Sequence, residues 1–179
     1  QLLTITLFLL WGKMALAGHI TGGEMYYTYV GMSNGQYQYN VTLKLYKRCN
    51  ISTAFPDPAI ISVFAKMDQS RFGDFYVPMT RSENINLTNV NPCISNPPLV
   101  CFDIAYYSFT LLLPGSPMGY TISSQVNFRI NGMNNLTAGY SGIGATYTAE
   151  IPGTTAPATG IQNNSARFTG TDLVLVCTG

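Results

Sequence analysis

Gln36-Tyr37-Gln38-Tyr39-Asn40-Val41-Thr42-Leu43-Lys44-Leu45 alternates with almost no error. Tyr37, Tyr39, Val41, Leu43 and Leu45 fall on one side, and Gln36, Gln38, Asn40, Thr42 and Lys44 on the other. Side chains of a strand point to opposite faces in turn, so this stretch predicts a strand with one dry and one wet face. The same period recurs outward in both directions. Met25, Tyr27 and Tyr29 alternate with Glu24, Tyr26 and Thr28. Ile122, Val126, Phe128 and Ile130 alternate with polar residues, as do Ala145, Tyr147, Ala149 and Ile151. Residues 59–66 and 100–113 are greasier and read as more deeply buried strands, and 72–79 reads as a weaker one, ended by Pro78.

Turn chemistry separates these runs. Ser33-Asn34-Gly35 between the first two strands is a hairpin signal. Pro56-Asp57-Pro58, Asn96-Pro97-Pro98, Pro114-Gly115-Ser116-Pro117 and Asn131-Gly132 mark further breaks. No stretch carries a 3.6-residue apolar stripe. About seven or more short strands joined by turns predict an all-β, antiparallel β-sandwich, with a jelly roll or barrel-like arrangement as runner-up. Residues 82–99, with five asparagines and three prolines, read as a long exposed loop. Residues 153–164 read as a linker or bridging loop, and 172–176 as a further strand.

The first residues speak of destination. The apolar run 2–11 precedes Ala15-Leu16-Ala17, the small-residue pattern of a signal-peptide cleavage site. The run is too short for a membrane helix, which needs about 20 apolar residues. The expected division is a truncated signal peptide over 1–17, a β-sandwich domain over 18–153, and a linker and strand over 154–179 that lead into a following domain. The absence of a starting Met and of a basic segment before Leu2 also suggests a piece of a longer chain.

Composition narrows the function. Charged residues are 9% of the chain, against about 25% in an average domain, and the formal net charge is +1. No basic stripe suited to nucleic acid is present; Lys44, Lys47 and Arg48 form the one cluster and read as the solvated end of a strand. The single histidine, His19, lies two residues after the expected cleavage point, a poor place to hold a catalytic base. The acidic residues Glu24, Asp57, Asp68, Asp74, Glu83, Asp103, Glu150 and Asp172 are scattered singly, without the spacing of a calcium loop. No nucleophile elbow or phosphate loop occurs, and Ser141-Gly142-Ile143-Gly144 leads into a strand and reads as a turn. These features predict a non-enzymatic domain without cofactor or metal. Sequons occur at Asn40, Asn50, Asn86, Asn135 and Asn163. The tyrosines are the best binding feature, and the outward Tyr26 is the candidate contact residue for an extracellular glycan or protein.

Four cysteines, Cys49, Cys93, Cys101 and Cys177, lack the C-x-x-C spacing of zinc or redox sites. In an exported chain they read as disulfides. Cys93 and Cys101 flank a short loop and are the favoured pair. Cys49 then pairs with Cys177, or Cys177 pairs outside this sequence.

Several motifs in order carry a family likeness. His19-Ile20-Thr21-Gly22-Gly23-Glu24-Met25-Tyr26-Tyr27 follows the expected cleavage site, and Tyr37 to Cys49 ends in Leu43-Lys44-Leu45-Tyr46-Lys47-Arg48-Cys49. Then come Cys93 with Asn96-Pro97-Pro98-Leu99-Val100-Cys101, Gly144 to Pro152, and Asn164-Ser165-Ala166-Arg167-Phe168. Together they resemble the N-terminal region of large exported surface proteins of Bacteroidota. The resemblance implies an immunoglobulin-like sandwich at the front of a multidomain chain with immunoglobulin-like or PKD-like repeats. It also implies a C-terminal sorting domain of the gliding-motility-associated, type IX secretion type. Cys177 would open the next segment. Relatives often carry a Cys-Cys pair where this chain has Val126-Asn127-Phe128-Arg129, so the resemblance leaves Cys49 without its usual partner. The expected role is adhesion or structural spacing at the cell surface, with a carbohydrate-binding or carbohydrate-processing accessory domain as the alternative.

Overall fold

A computed structural model describes residues 20–86, 101–127, 144–153 and 162–167. Eight strands form in chain order: β1 (Ile20–Ser33), β2 (Gln36–Arg48), β3 (Ala59–Ala65), β4 (Arg71–Val77), β5 (Arg81–Asn86), β6 (Cys101–Leu113), β7 (Gly119–Val126) and β8 (Ala145–Pro152). They build two antiparallel sheets with strand orders β1-β2-β6-β5 and β4-β3-β7-β8. That order matches the two sheets of the immunoglobulin fold, with one added strand beside the third. Among the described residues no helix is long and apolar enough to cross a membrane.

The alternation in β2 becomes the core. Tyr39, Val41, Leu43 and Leu45 are fully buried and face Ile61, Val63, Ile122 and Ile151 of the other sheet in one apolar cluster. Each such aliphatic side chain contributes about 1.5–3 kcal/mol by leaving water. Asn34 and Gly35 take positive φ values of 50° and 76°, the backbone of a tight primed turn, as the hairpin signal requires. At the same end of the sandwich as this turn, Tyr120 opens β7 and its hydroxyl donates to the Pro114 carbonyl at 3.1 Å. A tyrosine at this corner, bonded back to the chain a few residues upstream, is a known fastening of immunoglobulin-type sandwiches.

Three expectations are corrected. Residues 81–86 are a strand and not the start of a loop: β5 pairs with β6 from Arg81↔Tyr106 to Asn86↔Cys101. It lies at a sheet edge where main-chain pairing, not an apolar face, holds it, so its sequence shows no alternation of hydrophobicity. Lys44 and Lys47 are 6% and 7% exposed, so they are not a solvated strand end; Arg48 alone of the three is exposed. The favoured bridge is also replaced, because Cys101 is bonded to Cys49. The β2–β6 register runs to Arg48↔Phe102, which sets the two cysteines opposite each other one step on, with Cα atoms 5.6 Å apart. Cys93, Cys177, His19, the cleavage site, Phe128, Ile130, Asp172 and the strand expected at 172–176 lie outside the described residues.

Candidate functional site

The strand directions bring the β2–β3 connection, the ends of β5 and β7 and the starts of β6 and β8 to one end of the sandwich, the end that also holds Ile20. A cleft of about 310 Å³ opens there, at the small end of the range for ligand pockets. Its origin is a parting of strands. The β3–β7 ladder stops at Ser62↔Ser123, and beyond it the two strands separate. Ser124 Oγ donates to the Ile60 carbonyl at 2.8 Å, a side-chain link where a ladder bond would otherwise lie. Phe55, Pro56 and Pro58 form one wall, Gln125, Val126 and Asn127 the other. Ile20 and Leu45 close the inner side, and no charged side chain is among the described lining residues.

The wall at 51–58 is held from three elements. The Lys47 ammonium points to the core side of β2 and donates to the carbonyls of Thr53 at 2.7 Å and Ile51 at 3.2 Å. It also lies 3.6 Å from the Asp103 carboxylate and 5.0 Å from the centre of the Phe55 ring. A buried ammonium needs such partners, since desolvating it without them costs several kcal/mol. From β6, the Tyr107 hydroxyl donates to the Pro56 carbonyl at 2.7 Å. From the β4–β5 connection, the Met79 N–H donates to Asp57 Oδ1 at 3.0 Å. The wall is therefore fixed before anything binds, which lowers the ordering cost of contact.

Tyr26 lies on the outer face of the first sheet, as the alternation predicts, and is half-buried. The Arg167 guanidinium sits 5.4 Å from its ring centre, so one side of the ring already has a partner. Nearer the cleft end of this face, the Lys44 ammonium lies 5.2 and 5.4 Å from the ring centres of Tyr46 and Tyr106 and 3.3 Å from Glu24 Oε1. Arg81 stacks on Tyr106 at 4.0 Å, and the Tyr106 hydroxyl donates to Glu83. One chain of contacts thus crosses all four strands of the sheet.

The described carboxylates are engaged separately. Glu24 meets Lys44, Asp103 meets Lys47, Glu150 meets Lys66 at 2.6 Å, Asp74 meets Arg71 at 2.9 Å and Glu83 meets Arg81 at 3.4 Å. Asp68 accepts the Ser70 N–H at 3.0 Å, and hydrogen bonds from Ser70 hold its carboxyl below the usual range. No group of three or more metal-ligating side chains occurs among the described residues. The sequence placed Tyr26 on the outward face of its strand but gave no sign of the cleft, whose walls come from segments 70 residues apart. The available signal was Lys47, which continues the apolar positions of β2 by two residues and so had to point inward.

The buried phenols give the fold an alkaline limit. Burial raises Tyr27, Tyr39, Tyr106, Tyr107 and Tyr120 above the ordinary value of 10.0; the Glu150 charge adds to this at Tyr27, the Glu83 hydrogen bond at Tyr106 and the Asp57 charge at Tyr107. Below pH 10 these phenols are neutral in both folded and unfolded chains, and their contribution is fully present. Above pH 10 the unfolded chain releases protons that the folded chain keeps, so stability falls as pH rises. Denaturant midpoints measured from pH 7 to 12 should hold level on this account up to about 10 and then drop, with the share of tyrosinate absorbance due to these five phenols appearing only on unfolding. A level profile through pH 12 would contradict it.

No protein-family model, no curated protein and no solved structure matches this chain. Its class is defined by strand order and the tyrosine corner: an antiparallel β-sandwich of immunoglobulin-like order.

Proposed function

We propose that this domain is a non-catalytic module of an exported bacterial surface protein, and that it serves adhesion through the loop-end cleft. The observation that carries the reading is the prefixed, uncharged cleft between β3 and β7, with Ile60 on its rim 50% exposed. Loops on a rigid sandwich are the usual place for recognition. A neutral lining suits an uncharged partner: an extended protein segment carrying apolar side chains. The motif order supports membership of a longer surface chain, whose other domains are its constant neighbours.

The test is adhesion by beads carrying the 179-residue chain to extracellular protein surfaces. Phe55→Ala should weaken capture by about 30-fold or more if Phe55 anchors the contact, the scale of an interface hot spot. Equal capture by a folded Phe55→Ala chain would remove the cleft from the contact. The alternative, a carbohydrate-binding accessory role, has Tyr76 in its favour, an aromatic ring 67% exposed on β4 beside Ile60 of β3. A glycan array silent for the wild-type chain would count against it. Mass analysis of the secreted full-length protein tests export, with cleavage after Ala17 as the expected result.

A further inference from the structure

The outer edge of β1 is covered by the chain's own residues 164–167. Ser165 Oγ accepts the Tyr27 N–H at 2.8 Å, and the Ser165 N–H donates to the Tyr27 carbonyl at 3.1 Å. Asn164 Oδ1 accepts the Tyr29 N–H at 2.7 Å. Asn164 stands at Tyr29 and Ser165 at Tyr27, so the segment runs antiparallel to β1 and occupies the place of one more strand. Arg167 over Tyr26 extends the contact by one position.

This edge has most to protect. The sheet edges are β1, β5, β4 and β8, with 14, 6, 7 and 8 residues. Long edge strands present free N–H and C=O groups to other chains, and native folds blunt them with bulges, charges or covering segments. β5 is short and carries Arg81 and Glu83. β1 has a register irregularity between Tyr29 and Gly31, below which Val30 and Met32 are 51% and 58% exposed. The irregularity disrupts pairing over the lower part, and the 164–167 segment covers the upper part.

We propose that residues 164–167 are a strap that reserves the β1 edge, and that its release lets β1 pair with β1 of a second copy of this chain. A second copy fits because a two-fold pair of identical edges is antiparallel, the direction in which the strap already lies. The inference stands apart from the cleft and from any adhesive role.

The test combines sedimentation over a range of concentrations with amide exchange, comparing the wild type with Asn164→Ala/Ser165→Pro, which removes all four hydrogen bonds, the donation from Ser165 Oγ to the Tyr27 carbonyl at 3.2 Å included. The wild type should stay monomeric. The variant should exchange the Tyr27 and Tyr29 amides about tenfold faster in dilute solution, the scale of one lost hydrogen bond. On concentration it should form a dimer in which those amides are protected again. Unchanged exchange, or a variant monomeric throughout, would overturn the proposal. The Val41 and Leu43 amides report whether the sandwich persists. Should the double variant lose them, Asn164→Ala/Ser165→Ala keeps the Ser165 backbone N–H and is judged by the same two criteria.

Discussion

Tyr39→Ala is expected to cost about 3–5 kcal/mol of unfolding free energy, the range for deleting a fully buried aromatic. The ring is fully buried and meets two others edge-on, Tyr27 and Tyr29, each with centroids 5.6 Å away. Tyr27 in turn donates its hydroxyl to the Glu150 carbonyl on β8 at 2.9 Å. Tyr39 therefore supports a ring that reaches from one sheet to the other along the β1–β8 side. Removing it opens a cavity and frees Tyr27 at once, so relaxation can refill little of the space. Urea denaturation of wild type and variant measures the loss. A cost below about 1 kcal/mol would mean that this side of the sandwich collapses around the gap, and that the tyrosine cluster is not what joins the sheets there.

Replacing both Cys49 and Cys101 by serine is expected to cost about 4 kcal/mol by chain-entropy reasoning, because the bridge closes a loop of 52 residues in the unfolded chain. For a domain of this size that corresponds to a thermal midpoint lower by roughly 10 °C. The bond joins neighbouring strands of one sheet at the end of a 12-pair ladder, where the two residues already face each other. Little native geometry depends on it, so the effect should sit in the unfolded state. Two measurements separate the cases: unfolding free energy should fall, while exchange of the β2 and β6 amides under native conditions keeps its pattern. A loss under 1 kcal/mol would show that the unfolded chain is held compact by other means.

How much of this was legible depended on which force fixes each part. The residues from Tyr37 to Leu45 announced their strand because one face is uniformly apolar and the core demands it. The Asn34–Gly35 turn was legible for a similar local reason, since few residues accept its backbone angles. β5 was hidden because Ser82, Asn84 and Asn86 carry no burial signal and the strand owes its place to hydrogen bonds with β6. The cysteine pairing followed from the β2–β6 register, a long-range quantity that spacing does not encode. The cleft was hidden for the same reason: Pro56 and Val126 become neighbours only when β3 and β7 part beyond Ser62.

The direction of the covering segment bears on how the molecule carries tension. At Arg167 the chain is heading back toward the end where Ile20 enters the sandwich. Arg167 sits over Tyr26, six residues along β1 from Ile20, roughly 20 Å at strand rise. The full length of β1 is about 46 Å by the same rise, over its 14 residues. A pull between these two points runs along one flank and leaves the hydrophobic interior out of the force path. It breaks the Arg167, Ser165 and Asn164 contacts singly, in that order, as a zipper opens. Under such a load these contacts act as a fuse, yielding before any strand pair of either sheet has to part.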